Sequence, residues 1–207
     1  LLLYLLPELP QLALGPYELD LGDALVLPFL TISLVWLINL SNFMDGIDGI
    51  ASTQAIAALL GMNLIGFGGS GSVEPFSLIV SASVAGFLCL NWAPAKLFMG
   101  DIGSCFLGLL VPAIGLYMAV EYQISYWSCL ILLAVFITDA SWTLIVRFSS
   151  GQRWSEPHRS HAYQILSRKW HSHARVVCAM LAIITLWLMP LAVLATQYSS
   201  LGVVFFA

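Results

Sequence analysis

The sequence predicts an all-α, polytopic helical membrane protein with about six complete transmembrane helices and partial spans at both ends. Three observations carry that prediction. Of 207 residues, 60% are hydrophobic and 9% charged, and the mean hydropathy is +0.93, outside the range of soluble globular domains. Apolar stretches close to the ~20 residues that cross a hydrocarbon layer as a helix recur at short intervals. The seven Lys and Arg residues sit in only two of the connections between those stretches.

In chain order the complete spans are expected at 24–40, 50–68, 76–93, 102–120, 124–146 and 176–196. LLLYLL at 1–6 reads as the end of an earlier span and LGVVFFA at 201–207 as the start of a later one, so the chain reads as part of a longer polytopic protein. No charged region precedes an apolar one in the manner of a cleaved signal peptide. Cys89, Cys105, Cys129 and Cys178 lie inside apolar spans without a C-x-x-C pair, which favours packing roles over a disulfide framework or a zinc site. There is no fixed-period repeat, and the longest polar stretch is 147–175. A single membrane domain over 1–207 is expected.

The basic residues orient it. Lys96 follows the third span, and Arg147, Arg153, Arg159, Arg168, Lys169 and Arg175 lie between the fifth and sixth. Two spans separate these connections, so they share a side, and the positive-inside bias makes that side cytoplasmic. Parity then puts the first connection there too, giving cytoplasmic loops at 41–49, 94–101 and 147–175. Six of the eleven acids, Glu8, Glu18, Asp20, Asp23, Glu74 and Glu121, fall in the opposite loops.

The first inner loop, NLSNFMDGIDGIAS at 39–52, spaces Asn39, Asn42, Asp45 and Asp48 three residues apart. In a helical or near-helical turn, positions three apart share a face, so two carboxylates and two carboxamides would line one cavity. That is costly at a membrane edge unless something binds; the alternative is a polar loop with solvated acids. Gly46 and Gly49 permit a tight turn and a close ligand approach. An EF-hand is excluded by the spacing and the missing terminal Glu.

The second inner loop, APAKLFMGDIGS at 93–104, sets Lys96, Phe98 and Asp101 beside Gly100 and Gly103 where the fourth span begins. Amides at a helix N-terminus favour phosphate, and hard carboxylates select Mg²⁺ or Mn²⁺ rather than zinc. Taken alone, a residue such as Phe98 is more often core or interfacial packing than a base-stacking platform. The third loop contains WSEPHRSHAYQ at 154–164, with His158, Arg159 and His161 as cationic or proton-sharing donors suited to a diphosphate. Arg168, Lys169, His171, His173 and Arg175 read as a basic surface facing anionic lipid. Asp139, near the cytoplasmic end of the fifth span, is open to two readings, a functional acid or a structural partner of Arg147.

NLSNFMDGIDG (39–49), LFMGDIGS (97–104) and HRSHAYQ (158–164), in this order on one face, resemble the polyprenyl-phosphate N-acetylhexosamine-1-phosphate transferases, glycosyltransferase family four. That superfamily includes phospho-N-acetylmuramoyl-pentapeptide transferase. The last motif is more similar to the O-antigen and lipid-linked glycan branch, where consecutive histidines are not the rule.

The resemblance implies a ten- or eleven-helix enzyme of the bacterial inner membrane with a cytoplasmic cleft. It would use Mg²⁺, with Mn²⁺ as a substitute, to transfer sugar-1-phosphate from a UDP-sugar to undecaprenyl phosphate, releasing UMP, in lipopolysaccharide or cell-wall synthesis. By motif, Asp101 and Asp45 would hold the metal, Phe98 would stack on uracil, and Asn39, Asn42 and Asp48 would line the nucleotide side. Lys96 and Asp139 would contact substrate, and His158, Arg159 and His161 would meet phosphate or sugar. The implied partners are the UDP-sugar, polyprenyl phosphate and the bilayer, with no nucleic acid; a homodimer is compatible. The family also carries an Asp-Asp pair in an earlier loop, and no adjacent Asp-Asp occurs here. A degenerate, non-catalytic homologue and a membrane transporter are therefore the competing readings.

The orientation has a direct test. Single cysteines at Ser150 and Ser72, in a background without the native four, are expected to react with an impermeant reagent from opposite sides. Labelling of both from outside overturns the topology.

Overall fold

The computed structural model describes residues 22–122, 124–151, 159–198 and 202–206. The expected partial span at 1–6 and His158 lie outside these residues. The chain forms α1 (Gly22–Met44), α2 (Ile50–Ser70), α3 (Pro75–Asn91), α4 (Gly100–Glu121), α5 (Tyr126–Leu132), α6 (Ala134–Ser149), α7 (Ala162–Trp170), α8 (His173–Ile183), a π-helical turn (Ile184–Leu188), α9 (Met189–Gln197) and α10 (Gly202–Phe206). No strand occurs among the described residues.

Four of the expected spans are helical units long and apolar enough to cross a bilayer: Leu25–Met44, Ile50–Gly69, Gly100–Glu121 and the continuous unit His173–Gln197. α3 has 17 residues, about 25 Å at the usual helical rise, just under the ~30 Å hydrocarbon layer. The expected span at 124–146 is different, because α5 and α6 meet at an angle of 70°. At the break, the Leu133 N–H is shared between the carbonyls of Cys129 (3.2 Å) and Leu130 (3.1 Å). The Leu132 carbonyl accepts from Gln54 Nε2 at 2.8 Å. A broken helix is tolerated inside a membrane when side chains satisfy the freed backbone groups, and Gln54 of α2 does so here.

α2 is the central post, the most buried of the spans, packed against α3, α4, α5, α8 and α9. α1 lies on α4 and α6 and turns Leu25, Ile32 and Val35 outward. Without an aqueous drive between helices, close packing depends on small residues. Gly108 of α4 is such a point: a β-carbon there would lie 2.7 Å from Ser41 Cβ and 2.9 Å from Ile38 Cα of α1.

The ends of the bundle are joined by different contacts. At one, the Ala95 N–H reaches Asp48 (3.1 Å) and the Tyr163 hydroxyl reaches the Phe43 carbonyl (3.0 Å). At the other, the Tyr122 hydroxyl lies 3.4 Å from the Val73 carbonyl and the Ser125 N–H lies 3.3 Å from Thr196 Oγ1. The three connections that share a side by span parity thus meet in space.

Gly108→Ala is expected to lower the thermal midpoint by forcing α1 from α4, a loss of about 1–3 kcal/mol for overpacking. Gly86→Ala, on an open face of α3, is its control. Equal midpoints for the two variants would show that the α1–α4 approach does not constrain the fold.

Candidate active site

The site is built on the end of α1. The helix stops at Met44, the Asp45 N–H bonds back to the Asn42 carbonyl at 3.3 Å, and the chain turns through 47–49 into α2. Gly49 adopts a left-handed backbone with φ of 77°, a conformation open to glycine at little cost. Its N–H donates to Asn91 Oδ1 at 3.1 Å. The same oxygen accepts from Ser52 Oγ at 3.1 Å, while Asn91 Nδ2 donates to the Leu97 carbonyl at 2.9 Å. Buried Asn91, at the last turn of α3, therefore ties the first loop to the second. α4 then opens at Gly100 with φ of 69°, and Ser104 Oγ donates to Asn42 Oδ1 at 2.9 Å.

These contacts enclose a cavity of about 230 Å³ lined by Asn42, Asp45, Gly46, Ile47, Asp48, Asn91, Phe98, Met99, Gly100 and Asp101. Five of the residues selected by sequence, Asn42, Asp45, Asp48, Phe98 and Asp101, thus share one space. Asn39 and Lys96 do not line it. Asn39 sits one turn deeper in α1 and spends its Nδ2 on the Val35 carbonyl at 2.7 Å; Lys96 is exposed, held only through its N–H to the Leu90 carbonyl at 2.8 Å. The helical three-residue spacing fails to gather all four residues because α1 ends between Asn42 and Asp45.

Two acids act on each other in the cavity. Burial first, and then the charge of Asp101, push the Asp45 carboxyl from 3.8 up to about 7, the direction expected for a desolvated acid beside a like charge. Asp48 is anchored instead. Its Oδ2 accepts from the Ala95 N–H at 3.1 Å and lies 3.1 Å from His173 Nδ1. His173 and Asn91 are the site residues that sequence reasoning missed. Asn91 left a signal, a carboxamide at the edge of an apolar run, whereas His173 left none, since 125 residues separate it from Asp48.

The third loop docks through α7. Asp139 of α6 accepts the Ala162 N–H on Oδ1 at 2.9 Å and the Tyr163 N–H on Oδ2 at 3.0 Å, and Oδ1 lies 3.5 Å from His161 Nδ1. A carboxylate on the first amides of a helix acts as a cap and complements its dipole. His161 is buried and stacks on Tyr163 with ring centroids 5.8 Å apart. The Tyr163 hydroxyl, which donates to Phe43 and accepts from Gln164 Nε2 at 3.1 Å, sits where a β-carbon of residue 46 would be. Gly46 is thus required for this docking. Arg159 is exposed, its carbonyl accepting from Arg168 at 2.9 Å. Neither Arg159 nor His161 lines the carboxylate cavity.

A second, mostly apolar cavity of about 760 Å³ is lined by Met44, Ile50, Trp142, Ile165, Leu166, Met180 and Ile183 among others, with Thr138, Asp139, Thr143, Arg147, Ser160 and Tyr163 as its polar members. Met44 lines the apolar cavity and Asp45 the polar one. Among the described residues, no group of three or more His, Cys, Asp or Glu is placed to hold an ion. Mg²⁺ needs less than that: it is commonly held by one or two carboxylates, with the other positions filled by substrate oxygens and water. Asp45 and Asp101 fit that mode.

Comparison with known proteins agrees with the motifs. The family described as glycosyl transferase family 4 matches residues 2–119. The "Probable undecaprenyl-phosphate N-acetylglucosaminyl 1-phosphate transferase" of Bacillus subtilis (strain 168) is 34% identical over 184 residues, 86% of this chain and 51% of that protein. The phospho-N-acetylmuramoyl-pentapeptide-transferase of Streptococcus thermophilus (strain CNRZ 1066) is 33% identical over 147 residues, 68% of this chain and 41% of that protein. That of Streptococcus pyogenes serotype M5 (strain Manfredo) is 34% identical over 130 residues, 60% and 36%. The chain spans about half the length of the first of these relatives and less of the others.

The burial of Asp45, with the charge of Asp101 beside it, sets a pH dependence. Because the folded value lies above the unfolded one, Asp45 protonation favours the folded state fully below about 3.8, and this contribution is lost as pH rises to about 7. Without divalent cations, the thermal midpoint of the wild type is expected to fall relative to Asp45→Asn across that window. A difference between the two proteins that does not vary with pH overturns the assignment.

Proposed function

Since the chain belongs to glycosyl transferase family 4, we propose that it forms the catalytic face of an enzyme moving an N-acetylhexosamine-1-phosphate from a UDP-sugar to a polyprenyl phosphate. The products are a polyprenyl-diphosphate sugar and UMP, in cell-envelope glycan synthesis at the cytoplasmic side of the membrane. One observation carries this reading: consecutive residues line two different cavities, Met44 a large apolar one and Asp45 a polar, carboxylate-lined one. A water-soluble nucleotide sugar and a lipid must meet at just such a boundary.

The residues divide the work. Phe98, 73% exposed at the rim of the polar cavity, offers a ring face to the nucleobase. The first amides of α4, where no side chain caps Met99, point toward phosphate oxygens. Asp45 and Asp101 would hold Mg²⁺, or Mn²⁺, which would supply positive charge against the diphosphate. Asn42 and Asp48 orient the donor. The lipid tail occupies the apolar cavity, whose Arg147 attracts the lipid phosphate. An oxygen of that phosphate bonds to the β-phosphorus as the bond to the UMP oxygen breaks. A phosphate oxygen is already ionised, so the protein's contribution is positioning and electrostatics. Asp139 and His161 fix α7 and so shape the apolar wall; Arg159 and His158 are assigned to phosphate or sugar from the motif.

A transporter is the second reading, favoured by the broken span at Leu133, since interrupted helices often carry transported ions. The side chains of Leu132, Leu133 and Ala134 at this break are apolar, however, its freed carbonyl is taken up by Gln54, and Asp45, Asp48 and Asp101 gather away from it at one end of the bundle.

In the intact enzyme, Asp101→Asn and Asp45→Asn are each expected to lower UMP release by orders of magnitude, because the carboxamide keeps the shape without the charge. Asp139→Asn keeps one accepting oxygen for α7 and is expected to be milder. Near-normal Mg²⁺-dependent turnover by the Asp101 variant removes that residue from the role, and a wild type that releases no UMP overturns the reaction.

A further inference from the structure

Asp48 meets two donors on a single oxygen. Oδ2 lies 3.1 Å from the Ala95 amide nitrogen and 3.1 Å from His173 Nδ1. The Asp48 N–H points at the same ring nitrogen, 3.4 Å away. His173 Nδ1 thus faces an acceptor and a donor of one residue. Protonated, it donates to Oδ2; unprotonated, with the proton on Nε2, it accepts from the Asp48 N–H. Either tautomer ties the ring to Asp48. No hydrogen bond among the described residues engages Oδ1, and Asp48 lines the carboxylate cavity.

The other end of this contact is rigid. His173 is the first residue of α8, behind the Ser172 cap, whose hydroxyl accepts from the Arg175 N–H at 3.3 Å. α8 opens the 25-residue unit His173–Gln197, so the imidazole is carried by a membrane-anchored helix and not by a free loop. A carboxylate held at one oxygen by two donors presents its second oxygen in a set direction, and a group fixed before binding need not be ordered during it.

We propose that His173 is a positioning residue of this site: seated on α8, it holds Asp48 through Oδ2 or, in the other tautomer, through the main-chain N–H, so that Oδ1 faces the hydrogen-bond donors of a bound substrate. The identity of that substrate rests on the proposed function; the pairing does not. The residue acts through Asp48 and need not touch the reacting atoms.

Three substitutions in the intact enzyme separate positioning from packing. His173→Asn places an amide near the site of Nδ1, able to donate and accept; His173→Gln carries its amide to the distance of Nε2; His173→Phe keeps the bulk without a polar atom. His173→Asn is expected to stay within about twofold of wild type in both constants, and Gln and Phe to raise the KM for the nucleotide-sugar donor about tenfold with a smaller change in kcat and unchanged thermal midpoints. In an Asp48→Asn background, His173→Phe is expected to add no further loss. Wild-type kinetics for the Phe variant overturn the proposal. So does an Asn variant no better than Phe, or a loss that only follows a lowered midpoint. The pairing is read without substrate in protein carrying nitrogen-labelled histidine, where the His173 ring resonance, assigned by its absence in His173→Asn, is expected to move in Asp48→Ala. An unmoved resonance overturns the pairing whatever the enzyme's substrate. A moved resonance in an enzyme whose wild type releases no UMP supports the pairing and defeats only the proposed reaction.

Discussion

The buried carboxamide of Asn91 is the contact on which the polar end of the bundle rests. Its oxygen takes the Gly49 N–H and the Ser52 hydroxyl, and its nitrogen gives to the Leu97 carbonyl. At a membrane edge, an unmade hydrogen bond on a buried group costs about 1–3 kcal/mol, so these bonds are kept together or lost together. Their effect is to hold the turn that starts α2 against the segment that leads into α4. Asp48 then meets Ala95, and Asp45 comes close enough to Asp101 for that charge to add to the effect of burial on its carboxyl.

The third loop is set by a different dependency that begins inside the membrane. Gln54 of α2 satisfies the carbonyl of Leu132 at the 70° bend, and the bend sets the direction in which α6 carries Asp139. Asp139 caps α7, α7 carries Tyr163, and Tyr163 closes on the Phe43 carbonyl over Gly46. Burial pushes the Tyr163 phenol well above its ordinary pKa, which keeps it a donor in that contact. The two dependencies converge on the turn at 45–49, which contributes Asp45 to Asp48 to the polar cavity, while the flanking Met44 and Ile50 line the apolar one.

That convergence has an electrostatic cost. Asp45 is largely buried beside exposed Asp101, and first that burial and then the neighbouring charge raise its carboxyl. A site of this kind is stabilised by a cation or by donor-rich ligands, and chemistry concentrates where burial and like charge shift titration. The apolar cavity is the complement: wide, walled mainly by aliphatic and aromatic side chains, and bounded by Trp142, Ile165 and Ile183, which are themselves partly exposed along the bundle surface.

By itself, the sequence determined the class of the protein and most of the carboxylate cavity. Span positions follow from hydropathy, because a hydrocarbon layer admits only long apolar helices, and the motifs at 39–49 and 97–104 already contain Asn42, Asp45, Asp48, Phe98 and Asp101. Local spacing suffices for these residues because each sits within a few positions of a helix end. What only the tertiary structure decided are the features made by distant residues. The fifth span reads as one apolar run whether straight or bent; its break shows only once Gln54, 78 positions earlier, is seen to satisfy the Leu132 carbonyl. Asn39 leaves the cavity because α1 ends at Met44, a boundary that three-residue spacing does not mark. Asp139 belongs to α7, and His173, which reads as one more basic residue of a surface loop, belongs to Asp48. Such pairings depend on how the long apolar helices, four or five of them able to cross a membrane, pack side by side, and packing between apolar faces leaves no periodic trace in the chain.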